Sequence, residues 1–414
     1  MKINTLRTSL IGAAMTILAA TPALAADTIK IAFVDPLSGP FANVGEVGLK
    51  YTRYEVDKVN ARGGVLGKKL EIVPFDNKFS AQESLVALQT VINQKIPYVV
   101  SGNSSAVAAA LIDSIAKHNA RNPDSRVLYL NPAAQDPALN NDKCNFWHFR
   151  FFANSDARTE AITNHIKNEK QVQKVYLLNQ DYAYGHAIAK AAREQVGTKR
   201  PDVKIVGEDL VAPGKVKDFS PYVAKMKAAG ADTVITGNWG TDLSLLVRAA
   251  KDAGLNTVFY TFTGGSLGTP QAIGEAGVER VRYVSEYTNN MENKAMEAMA
   301  VDYKKKTGND FMWFGYKNAI EMVVAAMEQA KSDDPYKVAL ALEGMQFKSE
   351  LADIWMRKED HQAIVPLSIS TMAKMGGKVK YDVENTGFGF RTEAVFPAKD
   401  MVLPTTCKME RPAS

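Results

Sequence analysis

From Ile29 onward, short apolar runs alternate with longer stretches in which apolar residues recur every three or four positions. Ile29–Val34, Lys69–Phe75, Tyr98–Ser101 and Val127–Leu130 read as strands, the lengths being too short for helices. Between them, Gly45–Ala61, Ser80–Gln94 and Ala106–His118 have helical spacing; Ser80 followed by Glu83 is a capping-box start, and Gly63-Gly64 closes the first helix. A second series follows Phe149–Asp156. Its strands are Val175–Leu178, Lys204–Leu210, Thr233–Thr236 and Val258–Thr261, and its helices are Gly185–Val196, Ser220–Ala229 and Leu243–Ala253. Helices over Lys294–Lys306, Trp313–Ala330 and Pro335–Leu342 come next, then strand-like runs at Val365–Met372 and Lys378–Asp382. Strands alternating with helices in this way predict an α/β chain with parallel central sheets, in two such units.

The first 25 residues stand apart. Lys2 and Arg7 precede an apolar stretch from Ser9 to Ala20, and Ala23-Leu24-Ala25 offers a cleavage site before Ala26, the three-part pattern of a secretory signal peptide. The apolar stretch is short for a membrane anchor, and no later segment is long and apolar enough to span a bilayer. The expectation is a chain exported to a bacterial periplasm and not inserted in the membrane. Cleavage would turn 414 residues with a formal charge of +5 into a chain with 48 basic and 45 acidic side chains. That balance has no basic stripe of the kind nucleic-acid binding requires. In an oxidising space the only two cysteines, Cys144 and Cys407, are expected to pair, the alternative being two buried thiols.

Several motifs fail on context. Gly63-Gly64-Val65-Leu66-Gly67-Lys68 has the look of a phosphate loop, but its spacing is one residue off and it runs from helix to strand, the reverse of the order required. The five histidines, at 118, 148, 165, 186 and 361, form no metal-ligand pattern, so neither a metal nor another cofactor is expected. The Phe311–Tyr316 aromatics read as packing, and Lys304-Lys305-Lys306 as a solvated helix end. Gly102-Asn103-Ser104-Ser105-Ala106 lies between a strand and a helix, as a nucleophile elbow does, yet no histidine is placed to serve it. The same serines and the free N–H groups of a helix N-terminus suit a carboxylate instead. No catalytic residue is assigned.

Pro36-Leu37-Ser38-Gly39-Pro40 and the stretch Val59-Asn60-Ala61-Arg62-Gly63-Gly64-Val65-Leu66-Gly67-Lys68-Lys69-Leu70 resemble the opening of the leucine/isoleucine/valine-type periplasmic binding proteins, substrate receptors of ABC importers. Asn131-Pro132-Ala133-Ala134, Asp181-Tyr182-Ala183-Tyr184-Gly185 and Lys217-Asp218-Phe219-Ser220 extend the resemblance over nearly the whole chain beyond the signal segment. It implies two Rossmann-like lobes joined by three crossovers, near residues 150, 286 and 360, closing on a ligand. Lobe 1 would comprise 26–149 and 287–360, and lobe 2 would comprise 150–286 and 361–414.

The resemblance also implies a small carboxylate ligand, ABC permease subunits as partners and a monomer. By the same carry-over, Asn103, Ser104 and Ser105 would hold the carboxylate, with Ala134 and Gln135 beside them, Gln135 standing where the family usually has Thr. Tyr184, Trp239 and Phe262 would close from the second lobe. Amino-acid binders of the family carry an acid in the loop after the last second-lobe strand. Here Tyr260-Thr261-Phe262-Thr263-Gly264-Gly265-Ser266 has none. Either the ligand lacks an ammonium group, as an aromatic or branched organic acid does, or Asp181 or Glu286 supplies the charge. A ligand-sensing protein shares this fold, and a Ser104 hydrolase is the remaining alternative.

Overall fold

The computed structural model describes Met1 and residues 28–412; the expected signal segment lies outside the described residues. In chain order come β1 (Thr28–Asp35), α1 (Ala42–Ala61), β2 (Lys69–Asp76), α2 (Ala81–Asn93), β3 (Tyr98–Val100), α3 (Ser105–Arg121), β4 (Leu128–Asn131) and β5 (His148–Arg150). These are followed by α4 (Ser155–Ile166), β6 (Lys174–Gln180), α5 (Ala183–Lys199), β7 (Lys204–Val211), α6 (Ser220–Ala228), β8 (Thr233–Thr236), α7 (Thr241–Asp252), β9 (Val258–Thr261), the single turn α8 (Thr269–Ile273) and β10 (Val281–Ser285). The last part holds α9 (Lys294–Thr307), α10 (Phe314–Ala330), α11 (Pro335–Leu342), β11 (Gln346–Lys348), β12 (Asp353–Met356), β13 (Ala363–Ile364), β14 (Leu367–Lys374) and β15 (Phe388–Phe396).

Two sheets organise the lobes. The first is wholly parallel, in the order β2-β1-β3-β4-β5. Its strands read as unbroken apolar runs because both faces are covered: Ile31, Phe33, Val99, Leu128 and Phe149 are fully buried, with α2 against β1 and α10 and α11 against β4. The second sheet runs β15-β14-β10-β9-β8-β6-β7, parallel from β10 to β7 and antiparallel at β14 and β15. Strands β1–β5 thus share one sheet, β6–β10 with β14 and β15 the other, and β11–β13 form a small third sheet. The glycine-rich 63–68 stretch is a tight turn: Gly63, Gly64 and Gly67 have φ of 108°, 85° and 76°, and Val65 and Lys68 form a bridge.

Several elements depart from the sequence reading, among them the short β11–β13 strands, which it does not contain. Helix α4 was not anticipated: its buried face mixes Ala157, Ala161, Ile162 and Ile166 with the polar Ser155, Arg158, Thr159 and Thr163, which dilutes the apolar pattern. The threonine hydroxyls are satisfied within the helix, Thr159 donating to the Ser155 carbonyl and Thr163 to the Thr159 carbonyl. Strand β10 was not anticipated either. Lys378–Asp382, expected as a strand, is a looped excursion instead: the Lys380 and Tyr381 N–H groups donate to the Asn290 side chain, and left-handed residues flank it at Gly377, Glu384 and Asn385. The strand that pairs with β14 is β15, further on.

The C-terminal tail leaves the second sheet after β15 and returns to the first lobe. Thr406 donates to Asn141 and Asp142, Arg411 pairs with Glu343 at 2.7 Å, and Cys407 is disulfide-bonded to Cys144. These partners lie at 141–144 and 343, in segments expected for lobe 1. Because the disulfide holds a peripheral segment, a Cys407→Ser variant is expected to lose about 2 kcal/mol. It should melt a few degrees lower and expose the tail to limited proteolysis, with the rest of the chain resistant.

Candidate functional site

Apart from the α9–α10 connection, the loops that line the gap between the lobes leave the carboxyl ends of parallel strands, the position where α/β sheets bind ligands. From the first lobe these are the β1–α1, β3–α3 and β4–β5 connections; from the second, those after β6, β7, β8 and β9. Together with the start of α10 they enclose a cavity of about 720 Å³. Close packing fixes the loops. A Cβ on Gly45 would come within 1.8 Å of the Pro36 carbonyl oxygen, one on Gly185 within 1.9 Å of that of Gln180, and one on Gly315 within 1.9 Å of that of Pro132.

The β3–α3 loop is the polar end of the cavity. Ser104 caps α3, its Oγ accepting from the Val107 N–H at 3.4 Å. Ser105 begins the helix, where the first N–H groups have no intrahelical acceptor, and its Oγ accepts from the Asp136 N–H at 3.3 Å. Two further donors of the loop are already used. The buried Asp35 carboxylate, at the end of β1, accepts from the N–H of Gly102 and of Asn103 at 3.0–3.2 Å, with Ser101 Oγ and Tyr316 OH behind it. Burial pushes the Asp35 carboxyl up to about 7, against the pull of these hydrogen bonds.

Beside it, the Ala133 and Ala134 N–H groups are tied to Asn131 Oδ1, and Arg150 donates to the Ala134 and Asp136 carbonyls. Gln135 is only 6% exposed and its Oε1 has no protein partner. Across the cleft, Tyr184 is 4% exposed and its hydroxyl is likewise unpartnered. Trp239 donates its indole N–H to Tyr182 OH at 3.0 Å. Val44 and Val47 on α1, Leu245 on α7, Leu267, Met312 and Trp313 supply apolar wall.

Asn103, Ser104, Ser105, Ala134, Gln135, Tyr184 and Trp239 thus all line one cavity. Phe262 does not. It is fully buried behind Tyr184, ring edge to face at 6.2 Å, and its carbonyl accepts from Arg158. Neither acid considered for an ammonium group reaches the wall: Asp181 is exposed and pairs with His186, and Glu286 is buried in an ion pair with Arg158. Among the described residues lining the cavity there is no Asp or Glu; the charged ones, Lys215, Lys217 and Arg248, are exposed cations at its rim. Met312, Trp313 and Tyr316 also line the cavity, although their aromatic-rich stretch reads from sequence as packing alone.

The family model for periplasmic binding proteins matches residues 28–378. The chain belongs to the periplasmic binding protein family. Among its relatives, the Leu/Ile/Val-binding protein homolog 4 of Brucella abortus (strain 2308) is 32% identical over 406 residues, covering 95% of this chain and 96% of the relative. The closed crystal structure of the leucine-, isoleucine-, valine-, threonine- and alanine-binding protein of Brucella ovis has a TM-score of 0.86 and 31% identity, covering 94% of this chain and all of that one. A solute-binding protein of Rhodopseudomonas palustris BisB5, solved with 3,4-dihydroxybenzoic acid, shares the fold at a TM-score of 0.77 and 19% identity, over 90% of this chain and 98% of that one. Like other periplasmic binding proteins, this one is a two-lobed α/β molecule, and no helix among its described residues is long and apolar enough to cross a membrane.

Proposed function

We propose that this periplasmic binding protein is the extracytoplasmic receptor of an ABC importer. It captures a small carboxylate with an apolar body by closing its two lobes, and delivers it unchanged to the permease subunits. The supporting observation is the cavity itself, which joins a helix N-terminus on one lobe to the unpartnered Tyr184 hydroxyl on the other. In this reading the Ser105 hydroxyl, the free N–H groups at the start of α3 and Tyr184 OH bind the carboxylate. Asn103, Ser104, Ala134 and Gln135 shape that end, and Trp239 covers the ligand's apolar body. Residues 1–25 direct export to the periplasm, and the lobes divide near residues 150, 286 and 360, with the tail recrossing.

The two Brucella relatives, named as binding leucine, isoleucine and valine, support a branched-chain amino acid. A second reading, a branched or aromatic acid lacking the amine, is favoured by the wall, because an ammonium buried there would face no anionic side chain among the described residues. Thermal shift and calorimetry with L-leucine, 4-methylpentanoate and 3,4-dihydroxybenzoate separate the two. Ser105→Ala is expected to weaken the carboxylate that binds by roughly tenfold or more, the worth of a hydrogen bond to a charged group, while leaving the melting temperature of the free protein within a degree or two. Unchanged affinity would remove Ser105 from the site.

A further inference from the structure

Three aromatic rings meet at the mouth of the cleft. Phe41 and Phe79 come from the first lobe and Trp239 from the second. Phe41 stacks on Phe79 with centroids 4.2 Å apart, and Trp239 lies 4.7 Å from Phe41 and 5.6 Å from Phe79. Phe41 and Trp239 also contribute to the cavity wall, whereas Phe79 does not.

Phe79 is held in an unfavourable backbone conformation. In the turn from β2 to α2, Lys78 and Phe79 have φ of +49° and +59°, a left-handed pair without glycine. A bulky side chain there is strained, and such strain persists only where the surroundings fix it. They do so here. Asp76 Oδ1 accepts from the Lys78 and Leu37 N–H groups and Asn77 Oδ1 from the Phe79 N–H, each at 2.9 Å, while buried Asn77 reaches the Val34 carbonyl. Ser80 then caps α2. The turn aims the Phe79 ring at Phe41 and Trp239. On the other side, the hydrogen bond to Tyr182 orients the Trp239 indole.

We infer that this triad is an interlobe latch and that Phe79 is a positioning residue for closure. The inference rests on the proposed reading that the lobes open and close around a ligand. Rings from opposite lobes touch only in the closed arrangement, so their contact adds stability to that state alone and shifts the population toward it. The consequence is slower ligand release, with no contribution from Phe79 to ligand contact.

The test uses the mature protein with Phe79→Ala, Phe79→Gly and Phe79→Tyr. Small-angle scattering without added ligand reads the lobe equilibrium. Stopped-flow tryptophan fluorescence, with L-leucine and 4-methylpentanoate as probes, reads the rates. Phe79→Ala should give a larger radius of gyration and release the bound probe about tenfold faster, on the scale of an aromatic cluster, with the association rate changed less than twofold. Phe79→Tyr should match the wild type. Phe79→Gly should open as the alanine variant does while melting at a higher temperature than it, because glycine is at ease with the positive φ. Wild-type scattering and release in Phe79→Ala would overturn the latch. If neither probe binds the wild type, the branched-chain ligand readings fail, and the scattering comparison still decides the latch.

Discussion

Replacing Glu286 with alanine is expected to destabilise the protein by about 3–5 kcal/mol, the cost of leaving a buried charge unpaired. Its partner Arg158 has no exposed side-chain surface. The guanidinium meets Glu286 Oε2 at 2.6 Å and donates to the Val284 carbonyl at 2.7 Å, with the Phe152 ring 4.0 Å away. The variant leaves the enclosed Arg158 guanidinium without its carboxylate partner. The opposite replacement, Arg158→Met, should be milder. The carboxyl that remains is already raised by burial and can take up a proton. A carboxyl with a raised folded-state pKa favours folding when protonated, so Arg158→Met should lose stability as pH rises. Urea midpoints for both variants at pH 5 and 8 provide the check; equal losses, or a larger loss for Arg158→Met, would refute the asymmetry. The pair also matters for motion. The Ala153 N–H donates to Glu286, and Arg158 Nε donates to the Ala153 carbonyl, so the pair ties the first crossing of the chain to the second. Loosening it should change the hinge as well as the stability.

That role for Glu286 marks the boundary of what the sequence could tell. Alternating apolar runs disclosed the order of strands and helices because parallel strands are buried on both faces and leave a direct signal. The site residues came from the family resemblance and not from that order, apart from the serine loop read as an anion site, and seven of the eight line one cavity. What stayed hidden depends on tertiary pairing. Helix α4 buries hydroxyls and Arg158 among its apolar residues, and the partners of Arg158, Val284 and Glu286, lie over a hundred residues away. Phe262 follows its strand closely enough to be buried as part of the core, and only the three-dimensional arrangement puts Tyr184 between it and the cavity. The pairing of Cys407 with Cys144 was expected, but the other anchors of the tail, Asn141, Asp142 and Glu343, announce no partner in their local sequence. The serine loop was legible as an anion site, but not the fact that Asp35 already takes two of its N–H donors.

Asp35 gives the second large effect. Asp35→Asn is expected to be more stable than the wild type above pH 7 by roughly 2–4 kcal/mol, and close to it near pH 4. The carboxyl is pushed up to about 7 in the fold from an ordinary value of 3.8, chiefly by burial. Folding therefore takes up a proton between those values. The stability this brings is fully present below about pH 4 and is lost as pH rises through about 7. Asparagine keeps an oxygen that can accept from Ser101, Gly102 and Asn103, and its amide can face the Tyr316 hydroxyl oxygen, so the loop keeps its partners without the buried charge. Glu55, raised to about 7, and Asp156, raised to about 6, titrate over an overlapping range, but they are common to both proteins. The difference between the two melting curves from pH 4 to 8.5 isolates Asp35; parallel curves would exclude the effect. The same charge lies directly beneath Asn103–Ser105, so an anion bound there is repelled once Asp35 ionises. Carboxylate affinity measured by calorimetry should then fall above pH 7 in the wild type and stay level in Asp35→Asn.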